Sequence, residues 1–352
     1  MKIHEKYINR CIQLAENGLG KTYPNPMVGS VIVYKEKIIG EGWHRKAGEP
    51  HAEVNAINSV KDKTLLKDAT IYVSLEPCSH YGKTPPCSDL IIASGIRNVV
   101  IGSIDPFKEV SGKGIKKLMD AGCQVIIGIL DDKCAALNKR FFTFHTKKRP
   151  FIILKWAQSA DGFLAPLDSG SSSERKPIWI TKNLSKQLVH KWRSEEASIL
   201  VGTNTAIKDN PSLNTRLWEG SDPVRVLIDQ HLKVTSNSNL LDGTIKTIIL
   251  CEKQAKIPEN ISENITFEIL DFDKEIPSQI CKTLYKHSLQ SVIIEGGSIT
   301  LQSFIDLKLW DEARVFTGDA LFKEGTKAPF FIGSLKLKQE NTGDTLRIYT
   351  ND

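Results

Sequence analysis

Short β-rich runs alternate with stretches of helical spacing along nearly the whole chain, and this alternation does most to narrow the fold. Val28 to Tyr34 and Ile38 to Trp43 flank Lys35-Glu36-Lys37, which reads as a hairpin opening a sheet. Thr70 to Leu75, Asn98 to Ile104 and Val125 to Ile129 follow as strands. Helical spacing is read over residues 3 to 17, from Glu53 onward, and over Cys87 to Ser94, Gly114 to Ala121 and Asp131 to Phe144. Such alternation argues for an α/β domain with helices on both faces of a mixed sheet.

The pattern stops at Lys147-Lys148-Arg149-Pro150, a charged segment ending in proline, and restarts with a strand at Phe151 to Ala157. Two domains are expected, 1–146 and 150–352, which suits a chain of 352 residues. In the second, strands are expected at Ile178 to Ile180, Ser198 to Val201, Val224 to Ile228, Thr247 to Cys251 and Val292 to Glu295. Helices are expected near Ser185 to Arg193, Gln279 to Ser288 and Ile299 to Leu307, with β-hairpins toward the C-terminus. Asp168 to Ser173 reads as an exposed loop.

The formal charge of +6 is spread among interspersed lysines and acids. A mild positive bias suits an anionic small substrate or a phosphate-bearing cofactor as well as it suits RNA, so charge does not choose the partner. No long apolar run marks an export signal or a membrane span. Seven cysteines, an odd number without the dense spacing of a disulfide scaffold, point to a reducing cytoplasm.

Chemistry concentrates first in His51-Ala52-Glu53 and in the segment from Pro77-Cys78 to Pro86-Cys87. One imidazole and two thiolates suit Zn²⁺, and three protein ligands leave a coordination position for water, as in catalytic rather than structural zinc sites. Glu53, two residues past the ligand His51 at a helix start, is placed to move protons without binding metal. Nucleobase zinc deaminases divide the labour in this way, but with two residues between their cysteines, whereas eight separate Cys78 and Cys87. The competing reading is two buried structural cysteines and a surface histidine. Cys87 opening a helix favours the metal, because thiols at helix N-termini ionise readily.

Pro24-Asn25-Pro26-Met27-Val28-Gly29, His51-Ala52-Glu53 and the wide Pro77-Cys78 to Pro86-Cys87 spacing resemble the deaminase domain of the bifunctional riboflavin-biosynthesis deaminase/reductases. The resemblance implies a cytidine-deaminase-like α/β/α domain in which His51, Cys78 and Cys87 bind zinc and Glu53 shuttles the proton. It also implies that Asn25, His44, His80, Lys83 and Asp105 lie on or beside positions that hold the pyrimidine and the ribose phosphate. Each of the five has a plainer reading as a turn, strand-end or loop residue.

In the second half, Lys155 to Gly162, Trp179-Ile180-Thr181, Gly202 to Thr205 and Asp209 to Arg216 precede an apolar strand running into Glu295-Gly296-Gly297-Ser298. Glycines before a helix start allow a phosphate to approach the first amides of that helix. There is no G-x-G-x-x-G, so this signal does not support a Rossmann fold. In this order the segments resemble the reductase half of the same family, which implies a dihydrofolate-reductase-like α/β domain using NADPH. The resemblance places Ala157, Trp179, Thr205, Asp209 and the segment from Gly297 to Ser303 against the cofactor. It places Lys155, Arg193, Leu213, Arg216 and Glu295 around the substrate, with Arg193 and Arg216 suited to clamping its phosphate. The plainer reading of Arg193 is a solvated helix-end ion pair with Glu195 or Glu196.

The expected activity is therefore double. Zinc-dependent hydrolysis of the 2-amino group of 2,5-diamino-6-ribosylamino-4(3H)-pyrimidinone 5′-phosphate is followed by NADPH-dependent reduction of ribosyl to ribityl. The expected partner is that phosphorylated pyrimidine, with no nucleic acid and no membrane, and the expected assembly is a homo-oligomer. A tRNA or nucleobase zinc deaminase with an accessory domain is the rival, and a binding module with a structural zinc is another.

Overall fold

The computed structural model describes residues 2–81, 85–107, 111–167, 180–259 and 261–351. The chain forms two compact units, Met1–Lys148 and Arg149–Asp352. The first contains α1 (Lys2–Glu16), β1 (Gly29–Tyr34), β2 (Lys37–Trp43), α2 (Ala52–Ser59), β3 (Thr70–Leu75) and α3 (Cys87–Ala93). It continues through β4 (Asn98–Ser103), α4 (Lys113–Asp120), β5 (Gln124–Ile127), α5 (Asp131–Leu137) and α6 (Lys139–Lys147).

Its sheet has the order β2-β1-β3-β4-β5, with β1 antiparallel to both neighbours and β3, β4 and β5 parallel. Lys35 and Glu36 turn the opening hairpin with φ of 47° and 62°, the positive values that a tight primed turn demands. The period of two along each strand divides the core. Ile71, Val73, Val99 and Ile101 pack on one face with Ala56, Ile91 and Leu118 of α2, α3 and α4. Tyr72 and Val100 pack on the other with Tyr7, Ile8 and Cys11 of α1 and Cys134 of α5. Helices thus cover both faces, as the alternation implies.

One expectation fails here. The single helix read from Asp131 to Phe144 is two helices, broken at Asn138, whose backbone leaves helical values at φ −101° and ψ 24°. The apolar spacing passes through the break because both helices still bury residues such as Cys134, Phe141 and Phe144.

The second unit contains β6 (Phe151–Gln158), β7 (Phe163–Pro166), α7 (Asn183–Glu195), β8 (Ser198–Gly202), α8 (Thr203–Asp209) and β9 (Val224–Ile228). β10 (Thr247–Cys251), β11 (Ile265–Ile269), α9 (Ile276–Lys286), β12 (Ser291–Ile294) and α10 (Ser298–Asp306) follow. β13 (Glu312–Thr317), β14 (Gly325–Lys327), β15 (Ser334–Asn341) and β16 (Asp344–Thr350) complete it.

Nine strands form one sheet in the order β11-β10-β9-β8-β12-β6-β13-β16-β15. Strands β11 to β13 in that order are parallel, and β16 and β15 add an antiparallel edge. Ile152, Leu154 and Trp156 of β6 pack with α9 and α10, and Phe151 and Ile153 pack with α7. The edge strand β11, half-buried and interrupted by Thr266 and Glu268, and the small β7–β14 ribbon escape the sequence reading because neither carries a buried apolar run. Of the strand expected at Ile178 to Ile180, the first two residues lie outside the described residues and Ile180 belongs to no strand.

Candidate active sites

In the first unit, His51 sits at the N-cap of α2 and Cys87 opens α3, so two helix starts meet the loop that carries Cys78 after β3. His51 Nδ1 lies 3.7 Å from Cys78 Sγ and 3.3 Å from Cys87 Sγ, and all three candidate ligand atoms fall within 4.8 Å of one another. A tetrahedral Zn²⁺ with ordinary bond lengths separates its nitrogen and sulfur ligands by about 3.5 Å, so the donor set fits the ion in spacing as well as in chemistry. The Cys87 backbone N–H donates to Cys78 Sγ at 3.3 Å. The Cys87 side chain, with the His51 ring and that N–H, holds the Cys78 thiol well below its ordinary value despite burial.

Glu53 lies in the first turn of α2, buried and outside the ligand set. Burial pushes its carboxyl up to about 7, and Cys78 adds to the rise. A carboxyl near neutrality beside a water-activating metal is suited to take up and return protons.

His44 is buried, with its ring edge-on to His51 at 5.2 Å between centroids. Burial holds its pKa below the ordinary value, so the ring is neutral, with Nδ1–H donating to the Pro50 carbonyl at 3.2 Å. Its Nε2 then accepts from Asn25 Nδ2 at 3.1 Å. Asn25, His44 and His51 therefore share one neighbourhood. Asp105 is buried after β4, where burial pushes its carboxyl up to about 6 with Glu76 adding to the effect. His80 is exposed, and Lys83 lies outside the described residues.

Glu76 carries the support that sequence reasoning missed. Its buried carboxylate accepts from the backbone N–H groups of Gly112, Gly114 and Ile115 at 2.9, 2.9 and 3.3 Å, at the start of α4. A carboxylate there complements the helix dipole and fixes the strand end from which Pro77-Cys78 departs. A Cβ on Gly114 would stand 2.0 Å from the Pro77 carbonyl oxygen, so only glycine permits this approach. A glutamate preceding Pro-Cys, with Gly-Lys-Gly downstream, is the signal that was available.

In the second unit, β8, β12 and β6 are adjacent and parallel, so their carboxyl ends open on one edge of the sheet, where α/β folds bind ligands. Lys155 lies near the end of β6 and Glu295 directly follows β12, with Nζ and Oε1 3.7 Å apart. Arg193 of α7 donates to Glu295 Oε2 at 2.9 Å and to the Asn214 carbonyl at 3.2 Å. The solvated pairing with Glu195 or Glu196 is not what forms; Arg193 is buried and joined to Glu295. Burial alone would raise the Glu295 carboxyl, but Arg193 and Lys155 hold it at about 2. Burial lowers Lys155 against the pull of Glu295.

Leu213 is buried with a φ of 48°, turning the chain toward Arg216, which is exposed and donates through Nη1 to Asn214 Oδ1 at 3.0 Å. His190, not singled out from the sequence, accepts the Arg216 backbone N–H at 3.2 Å. Burial and the charges of Arg193 and Arg216 press its ring down to about 4, so it remains an acceptor.

Gly297 caps α10 and is exposed, whereas a Cβ on Gly296 would stand 2.8 Å from Thr300 Cβ. Thr205 of α8 comes near this turn, since a Cβ on Gly297 would lie 3.7 Å from its Oγ1. Two helices thus start at the ends of adjacent strands β8 and β12, and the first turn of α10 has no side-chain cap, leaving amides of the kind that suit a dinucleotide phosphate. Arg193 Nε and Glu295 Oε1 are buried with no hydrogen-bond partner among the described residues. These features fit NADPH and a polar substrate. Ala157 is half-buried near the end of β6, Asp209 is exposed at the end of α8, and Trp179 lies outside the described residues.

Among the described residues, no helix is long and apolar enough to cross a membrane. Residues 1–103 match the cytidine and deoxycytidylate deaminase zinc-binding region, and residues 150–342 match the RibD C-terminal domain. The riboflavin biosynthesis protein RibD of Aquifex aeolicus is 39% identical over 362 residues, covering 99% of this chain and 98% of that protein. The Escherichia coli RibD is 40% identical over 334 residues, covering 90% of this chain and 88% of the relative. The crystal structure of a Thermotoga maritima diaminohydroxyphosphoribosylaminopyrimidine deaminase/5-amino-6-(5-phosphoribosylamino)uracil reductase superposes with a TM-score of 0.87 at 35% identity, covering 99% of each chain. A zinc-type donor set in one unit, a strand-edge nucleotide cradle in the other and full-length kinship lead to one result: the chain belongs to the RibD family, the bifunctional deaminase/reductases of riboflavin biosynthesis.

Proposed function

We propose that the first unit deaminates 2,5-diamino-6-ribosylamino-4(3H)-pyrimidinone 5′-phosphate and that the second reduces the ribosyl group of the product to ribityl. The observation that carries this reading is Glu53, buried beside three convergent ligand atoms and excluded from ligation. The functional limits are 1–146 for the deaminase and 150–352 for the reductase, supported by the division of the chain between Lys148 and Arg149.

His51, Cys78 and Cys87 hold the zinc, which supplies the Lewis acidity that makes water nucleophilic near neutral pH. Glu53 takes a proton from the attacking water as oxygen bonds to the ring carbon, and gives it to the adjacent ring nitrogen. It then takes the remaining proton from the hydroxyl on that carbon and gives it to the amine, so that the carbonyl forms as the carbon–nitrogen bond breaks and ammonia leaves. Asn25 and neutral His44 orient the pyrimidine, and His80 and Asp105 contact the remainder of the substrate; Lys83, the other expected contact, lies outside the described residues.

Ala157, Thr205, Asp209 and the turn at Gly297, together with Trp179 from outside the described residues, would hold NADPH, which would supply the hydride to the anomeric carbon of the opened, imine-like ribosylamine. Glu295, ionised at neutral pH, orients Lys155, which delivers the accompanying proton. Arg193, already engaged with Glu295 and Asn214, shapes the loop, so the exposed Arg216 takes the phosphate, and Leu213 sets its approach.

The protein works in a reducing cytoplasm, where the ligand thiols stay free. It assembles as a homo-oligomer through the second unit, where Phe330 and Ile332 are 76% and 84% exposed and β15 forms the sheet edge. Incubating the purified chain with the diaminopyrimidine phosphate tests the reading. Without NADPH the deaminated product and ammonia accumulate, and adding NADPH converts that product to the ribityl compound; substrate left intact under both conditions contradicts the proposal.

A further inference from the structure

We infer that Asn138, at the break between α5 and α6, is a positioning residue for the deaminase site, acting through the loop that presents Asn25. Its side-chain amide meets a single residue of that loop on both sides. The Met27 backbone N–H donates to Asn138 Oδ1 at 2.8 Å, and Asn138 Nδ2 donates to the Met27 carbonyl at 2.8 Å. This pairing assigns the amide orientation uniquely, because reversal would set donor against donor and acceptor against acceptor.

Asn138 is 2% exposed, so neither group has water as an alternative partner. Met27 lies two residues from Asn25, with Pro26 between them restricting the intervening backbone. On the other side, the Gly29 N–H donates to Ser74 Oγ at 3.1 Å and the His44 N–H to the Val28 carbonyl at 2.9 Å, tying the loop to the sheet. Asn138 thus holds the loop two residues from Asn25, from outside the region shared with the zinc deaminases, which ends at residue 103. The helix break has a purpose in this light: Asn138 leaves helical backbone values while its amide pairs with the loop.

The inference rests on the reading of Asn25 as a substrate residue, and the test separates the two. Full-length Asn25→Ala, Asn138→Ala and the double variant are assayed for deamination of the diaminopyrimidine phosphate, with zinc content and reductase activity measured on each. Loss of both hydrogen bonds is expected to raise the deaminase KM about tenfold, roughly 1.4 kcal/mol, with kcat changing less. Zinc and reductase activity should be retained, and the double variant should be no worse than Asn25→Ala alone. Asn138→Asp, which keeps the acceptor and loses the donor, should fall between wild type and Asn138→Ala, and it takes the place of Asn138→Ala in the cycle if the alanine variant does not fold. Additive effects overturn the inference, as does a loss of zinc or reductase activity in step with deamination, which marks a purely structural role. An unchanged KM in Asn138→Ala beside a raised KM in Asn25→Ala overturns it alone. An unchanged KM in Asn25→Ala removes the reading on which it rests.

Discussion

Arg193 and Glu295, from a helix and a strand end 102 residues apart, form an ion pair at 2.9 Å that joins the loop carrying Asn214 to the end of the central strand β12. Lys155 completes the group from the neighbouring strand. Removing one member leaves uncompensated charge in a largely buried place, which costs about 3–5 kcal/mol in comparable buried pairs. Glu295→Gln should therefore destabilise the second unit and abolish reduction, and denaturant unfolding followed within that unit measures it.

The same pair gives a pH dependence with a definite sign. Glu295 sits at about 2 in the folded chain, against about 4.3 for an unperturbed glutamate. A depressed carboxyl contributes stability that is complete above the unfolded value and lost as pH falls through the folded one. The stability gap between wild type and Glu295→Gln should narrow from about pH 4.5 downward. Thermal midpoints of both proteins across that range would refute this if the gap stayed constant.

Support for the metal centre can be tested without touching a ligand. A methyl group at position 114 would meet the Pro77 carbonyl, and Glu76→Gln removes an acceptor for the N–H groups at the start of α4. Gly114→Ala and Glu76→Gln should each weaken zinc binding by about tenfold to a hundredfold, the range for loss of groups that orient metal ligands. Competitive chelator titration reads this directly, and unchanged affinity in both variants would show that the Cys78 turn holds itself.

Arg216→Ala should raise the reductase KM for the phosphorylated substrate and leave deamination unchanged, because the exposed guanidinium lies in the second unit and donates only to Asn214 within its own loop among the bonds described. Steady-state kinetics on the two half-reactions provide the measurement; a defect confined to deamination would move the phosphate site elsewhere.

The metal centre was legible because its residues announce themselves locally: His51 and Glu53 are two apart, and each cysteine follows a proline. The parallel strands were legible because Val- and Ile-rich runs buried on both faces have few other uses, as at Val224–Ile228 and Thr247–Cys251. The supporting contacts were not. Glu76 reaches backbone groups 36 to 39 residues away, and Asn138 pairs with Met27 across 111. Neither shows in periodicity, because a buried polar side chain is chosen by what the folded backbone offers it rather than by its neighbours in sequence. The plainer reading of Arg193, an ion pair with the adjacent glutamates, fails because the sheet brings the Glu295 carboxylate to it from 102 residues away.

Two independent sites on one chain is the central claim, and Glu53→Gln tests it most directly. The variant keeps the zinc ligands and the whole second unit, so it should bind about one zinc, lose deamination by two or more orders of magnitude, and still reduce the deaminated substrate with NADPH at the wild-type rate. Equal loss of both activities would contradict the account.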